Sequence, residues 1–225
     1  MKVLMIGLAV AYPVLAHWAI MSRSVLLIEV SAAVLVLLVL LPRLVARSVV
    51  AWCALPLAAA GLFLLARADA AWLPLYAAPV LINLFVAWIF GHTLAAGQVP
   101  LIERFARLMH EPDGVSDEIV RYARGVTLSW TIFLISLALL SLTLALLAEP
   151  EGILLLMGVR PPVTVPAEVW SLFANFLNYA IAGAFFLVEY VYRQYRFPDQ
   201  PYRNIVDFFL KARRVSPRLM GRPES

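Results

Sequence analysis

The residues best suited to chemistry in this chain gather beside the ends of its apolar segments: His92, Arg104, Arg107, Arg124, Glu189 and Arg193. A guanidinium group binds phosphate or carboxylate through a bidentate fork. Four arginines near one membrane face are therefore a candidate clamp for an anionic group. His92 and Glu189 are the groups there that could serve as acid and base. Asn175 and Asn178 put two amides inside the last apolar segment, where they could line the path of a polar group. A plainer reading stands beside each of these. Arginines on one side of a membrane protein fix its topology and meet lipid headgroups, and intramembrane amides commonly join helices.

Other chemistries lack their residues. His92 and His110 are 18 positions apart, His17 is remote from both, and no ligand set surrounds them, so no metal site is expected. No glycine-rich phosphate loop, HExxH, CxxC or GxSxG occurs. No cofactor and no nucleic-acid partner is expected. The single Cys53 lies in an apolar block and cannot form an internal disulfide.

The elements that must position these groups are membrane helices. Of the 225 residues, 63% are hydrophobic and 14% charged, against about 25% charged in a soluble domain. The apolar residues come in blocks of membrane-spanning length near 2–21, 25–41, 48–66, 71–90, 124–147 and 168–191. The expected fold is an all-α polytopic bundle over 1–192, followed by a basic amphipathic tail, 193–225. With both termini on one side, fifteen of the 18 Lys and Arg residues fall on that side, and only Arg23, Arg67 and Arg160 on the other. Basic residues stay cytoplasmic, so both termini are expected on the cytoplasmic side. A competing reading makes residues 1–16 a cleaved signal peptide ending at Val14-Leu15-Ala16.

In the last segment Ser171, Asn175, Asn178, Ala182 and Glu189 fall within about 40° of one line at 100° per residue. Lipid cannot satisfy these groups, so the stripe is expected to face protein or water. His17 and Glu29 flank the turn at Arg23 at matching depth and are expected to pair. Trp72, Trp88, Trp130 and Trp170 stand near segment ends, as interface anchors do. Residues 91–123 form a cytoplasmic loop. In it Pro100 opens an amphipathic helix, LIERFARLMH, EPDG makes a turn, and Ser116 caps a helix that continues into the fifth span. The outer segment GILLLMGV is too short to cross and is expected to dip into the interface. In the tail, after a turn at Phe197-Pro198-Asp199, Tyr202, Ile205, Val206 and Phe209 make an apolar face. Arg203, Asp207, Lys211 and Arg214 lie opposite, a pattern suited to an anionic leaflet. VSPRLMGRPES is expected to be disordered.

Four stretches carry a resemblance: GHTLAAGQVPLIERFARL from Gly91 to Leu108, YARGVTLSW from Tyr122, WSLFANFLNY from Trp170 and EYVYRQYRFP from Glu189. Together they resemble an uncharacterised family of bacterial inner-membrane proteins encoded beside genes for aryl polyene or xanthomonadin-type pigment lipids. The first three spans match it only as generic apolar helices. Some members carry the label ketosynthase from their gene neighbourhood, but this chain has no nucleophilic cysteine in a turn with histidines to assist it. The resemblance implies a place in lipid or polyene-pigment synthesis. Three functions follow as expectations. The first is a non-catalytic accessory protein that docks an acyl carrier protein or acyltransferase, or hands over an acyl intermediate, at the cytoplasmic face among membrane lipids. The second is a membrane-embedded enzyme using His92 or Glu189. The third is a small lipid exporter using the polar stripe.

Overall fold

The structure, a computed structural model, describes residues 2–111, 114–198, 201–202 and 204–219. Among the described residues it is all-α apart from one pair of two-residue strands. The helices are α1 Lys2–Ser22, α2 Val25–Val45, α3 Val49–Arg67, α4 Leu73–Gly91, α5 Leu101–Met109, α6 Asp117–Leu147, α7 Ile153–Leu156, α8 Ala167–Leu172, α9 Asn178–Arg196 and α10 Ile205–Leu219. A π-helical turn, Phe173–Leu177, joins α8 to α9. Among the described residues six helical stretches are long and apolar enough to cross a membrane, the fifth being Asp117–Leu147 and the sixth Ala167–Arg196. The chain is a multi-pass membrane protein. Its spans match those expected to within a few residues, and α6 begins at Asp117 and runs unbroken into the fifth, as the Ser116 cap implied.

The chain packs as two units, Met1–Ile82 with Leu137–Ile181, and Asn83–Ser136 with Ala182–Ser225. Three of the long helical stretches contribute to both.

In the first unit, α1 presents Tyr12, Ala16, Ala19 and Ile20, spaced for one helical face, to a core holding Ile28, Ala32, Leu75, Tyr76, Ala145, Ala148 and Trp170. Lipid supplies no hydrophobic drive between such helices. Close approach over alanine, and the dispersion contacts it allows, does the holding. Tyr76 stacks on Trp170 with centroids 3.8 Å apart, and Trp72 meets Tyr76 edge-on at 4.9 Å. Trp72 and Trp170 are thus buried core residues, not interface anchors, whereas Trp88 is 61% exposed. Ala148-Glu149 (β1) pairs in parallel with Val165-Pro166 (β2), closing the loop that holds α7. GILLLMGV forms only the single turn of α7. Gly152 is required there by space: a Cβ on it would lie 2.1 Å from the Ala148 carbonyl oxygen.

In the second unit, α5 starts at Pro100, which has no side-chain hydroxyl with which to cap. Its orphan amides are met by threonines from elsewhere. Leu101 N–H donates to Thr93 Oγ1 at 3.0 Å and Ile102 N–H to Thr127 Oγ1 at 3.3 Å. Ser116 accepts from Ile119 N–H at 3.4 Å, as expected of the cap of α6. Phe133 stacks on Phe185 at 4.2 Å, and Trp130 meets Phe185 edge-on at 4.8 Å. The tail helix α10 packs on α5 through Phe208, with Phe105, Phe186 and Tyr190 around it. The apolar face expected to meet the leaflet divides in two. Phe208 and Tyr202 are buried, while Val206 and Phe209 are 63% and 54% exposed. Residues 215–219, expected to be disordered, belong to α10. The part of that expectation covering 220–225 lies outside the described residues, as do Arg203, the Pro112-Asp113 part of the EPDG turn and the Asp199 end of the tail turn.

Candidate functional site

The eight candidate residues divide between the units. Asn175 and Asn178 belong to the first; His92, Arg104, Arg107, Arg124, Glu189 and Arg193 belong to the second. Within the second unit, only Glu189 and Arg193 bond to each other among those six.

Glu189 and Arg193 stand one turn apart on α9, the favourable order for an ion pair. Arg193 Nε lies 3.0 Å from Glu189 Oε1, and Nη2 donates to Oε2 at 3.3 Å, a two-pronged contact between side chains 16% and 13% exposed. Tyr122, from the first turns of α6, donates its hydroxyl to Glu189 Oε1 at 3.1 Å. Aromatic rings enclose the other side of the guanidinium. Its carbon lies 5.0 Å from the Phe208 ring centroid, 5.6 Å from Tyr202 and 5.8 Å from Tyr190. A carboxylate and three ring faces together replace the water this charge has lost, and the Tyr122 hydroxyl serves the carboxylate. Burial pushes the Tyr202 phenol up to about 12, against the opposing pull of the Arg193 guanidinium, so it stays neutral at physiological pH.

Two open-sided apolar cavities share this carboxylate. One, of about 430 Å³, runs along the α6–α9 seam past Tyr122, Gly125, Val126, Ser129, Phe185 and Tyr192. The other, of about 410 Å³, is lined by Phe90, Ile102, Trp130, Phe186, Arg193 and Phe209 among others. Both include Val126 and Glu189. Each falls in the range of about 300–1,000 Å³ occupied by small-ligand sites. A third, enclosed cavity of about 30 Å³ lies beside Arg193, Tyr202 and His110, with room for one water molecule. His110 Nδ1 donates to the Ala106 carbonyl at 2.8 Å, and its Nε2 is buried without a hydrogen-bond partner.

The remaining candidates have separate partners. Arg107 donates from Nη2 at 2.7 Å and from Nε at 2.9 Å to Glu103 Oε1, one turn back on α5. Glu103 is itself buried, which the sequence reading missed. Arg124 donates to the Leu94 carbonyl at 3.3 Å. Exposed His92 bonds the Trp88 carbonyl at 2.8 Å and stacks on the Trp88 ring at 4.8 Å. Arg104 is half-buried on α5.

In the first unit the amides are buried, as the stripe required: Ser171 is 0%, Asn175 6% and Asn178 3% exposed. Asn175 donates to the Ser171 carbonyl at 3.0 Å and to Ser171 Oγ at 3.1 Å. Ser171 Oγ also lies 3.0 Å from His17 Nδ1, tying α1 to α8. His17 therefore pairs with Ser171 and not with Glu29, which is exposed. Matching depth did not fix direction: Ile28 and Ala32 point to the core, and Glu29, 100° around α2 from Ile28, points away. The π turn also breaks the straight stripe. Its wider winding rotates Ser171 relative to Asn178.

Sequence reasoning missed Tyr122, Tyr202 and Phe208. One local signal existed, since Tyr190 precedes Arg193 by three positions and so shares its helix face. The other rings come from distant elements. Comparison with protein-family models, curated proteins and solved structures finds no match to this chain.

Proposed function

We propose that this chain is a non-catalytic accessory protein of the bacterial inner membrane that holds a lipid-linked acyl intermediate for a lipid or polyene-pigment pathway. The observation that carries the reading is the sharing of Glu189 by two apolar cavities, each large enough for part of an acyl chain. An acyl chain needs apolar walls and a few fixed polar groups at one end. Phe185, Val188 and Val126 offer the walls, and the hydroxyls of Tyr122, Ser129 and Tyr192 the polar end. Because Glu189 and Arg193 neutralise each other, the polar end suits an uncharged ester or thioester better than a free anion. Arg104, Arg107 and Arg124 supply cations with which an acidic acyl carrier protein or an acyltransferase would dock on the cytoplasmic side. The pathway itself rests on the resemblance of the second half of the chain.

The test is photo-crosslinking with a diazirine-bearing fatty acid fed to cells, joined to lipid and pigment profiling of a deletion strain. Crosslinks are expected on α6 and α9 near Val126 and Phe185, and Val126→Trp, which adds bulk at the residue both cavities share, should sharply reduce them and lower pigment. Crosslinks spread evenly over all lipid-facing helices would overturn the reading. Loss of product in His92→Ala with crosslinks and partners intact would replace it with an enzyme.

A further inference from the structure

The tail helix α10 has two apolar faces, one packed within the chain and one largely exposed among the described residues. Phe208, Ala212 and Ile205 turn toward α5 and α9, where Phe208 is 7% exposed. On the other side Val206, Phe209, Leu210 and Arg213 fall in an arc of about 100°. Val206, Phe209 and Leu210 are 63%, 54% and 53% exposed. Arg213 is exposed inside the arc and Arg214 at its edge. Asp207, the one acid of α10, is matched with Lys211 at 3.6 Å. The arc is therefore apolar and cationic, and Asp207 lies outside it.

Its depth follows from its neighbours. Phe209 lies 5.7 Å from Phe186, ten residues inside the end of the Ala167–Arg196 span. The preceding residue, Phe185, meets Trp130. So α10 lies against the apolar length of α9, at the level of an aromatic girdle, instead of hanging beyond the helix end.

We propose that this arc is a contact for anionic phospholipid: Val206, Phe209 and Leu210 enter the first acyl carbons while Arg213 and Arg214 reach the phosphates. Arginine suits this because its stem lies along apolar surface and its fork binds phosphate oxygens. The arc is separate from the two cavities of the proposed acyl site, apart from Phe209 at the edge of one, so either proposal can fail alone.

The experiment uses the full chain carrying Cys53→Ala, since Cys53 is exposed, and Phe209→Cys with a nitroxide label. The protein is placed in nanodiscs of phosphatidylcholine alone or mixed with phosphatidylglycerol. The label is expected to be accessible to oxygen and shielded from a water-soluble nickel reagent, more so with the anionic lipid. Arg213→Gln and Arg214→Gln are each expected to lower the preference for that lipid about fivefold. Native mass spectrometry of the unlabelled variants, counting retained phosphatidylglycerol, reads the same preference if labelling disturbs the helix. Equal nickel access in both bilayers, or unchanged lipid retention in the double variant, would overturn the proposal. So would shielding by an acidic protein that does not depend on lipid.

Discussion

In the first unit, Ser171 holds His17 at 3.0 Å and Asn175 at 3.1 Å among alanines and a stacked Tyr76–Trp170 pair. In the second, Glu189 and Arg193 hold each other at 3.0 Å beneath a tyrosine hydroxyl and three aromatic rings. Both units bury polar groups on the same last span. Where the side chains are hydroxyl and amide, a few short bonds and tight alanine packing suffice. Where they carry full charge, the chain adds a counter-charge and surrounds the cation with ring faces. A neutral group costs about 1–3 kcal/mol when buried unpaired, and a charge costs far more. The first unit is held by shape, the second by charge and rings.

The sharpest test of the shape side is Gly152→Val. Its Cβ would lie 2.1 Å from a backbone oxygen that cannot move without breaking the β1–β2 pair. A loss of about 4 kcal/mol or more is expected, seen as failure to purify as a single species from detergent; a normal elution profile would show that this loop is not packed as described. On the charge side, Glu189→Ala should cost about 3–5 kcal/mol by stranding Arg193. Hydrogen exchange in residues 205–214 should rise while α1 stays protected. Glu189→Leu combined with Arg193→Leu should recover much of the loss, and no recovery would mean that the rings, not the pair, need the guanidinium. Ser171→Ala removes the shared partner of His17 and Asn175 and should cost about 1–3 kcal/mol, with exchange rising in α1 and not in α10. The smallest effect is alkaline. Because the Tyr202 phenol is raised in the folded state, its contribution is complete below its ordinary value of 10.0 and is lost as pH climbs toward about 12. Protection of α10 should fall across that window and be insensitive to it in Tyr202→Phe.

Much of the architecture was legible before any coordinates. Six apolar blocks, Ser116 as a cap and the amphipathic run after Pro100 are local features, written in hydropathy and in the 3.6-residue period. Burial of Ser171, Asn175 and Asn178 was legible as well, because lipid leaves such groups no alternative. The candidate site was only half visible. Glu189 and Arg193 are one turn apart, so their pairing could be read. Tyr122 and Phe208 reach them from 67 positions before Glu189 and 15 after Arg193, and no local pattern specifies that meeting.

What the sequence determined by itself was therefore the set of membrane-crossing helices and which of their residues must avoid lipid, since both follow from transfer free energy and helical period along the chain. Only the tertiary structure decided the partners: Ser171 for His17, Thr93 and Thr127 for the start of α5, the rings around Arg193 and the face by which α10 docks. Periodicity places a side chain on a face of its own helix. Which neighbour that face meets depends on how distant helices are rotated, and that is set by packing across the whole unit.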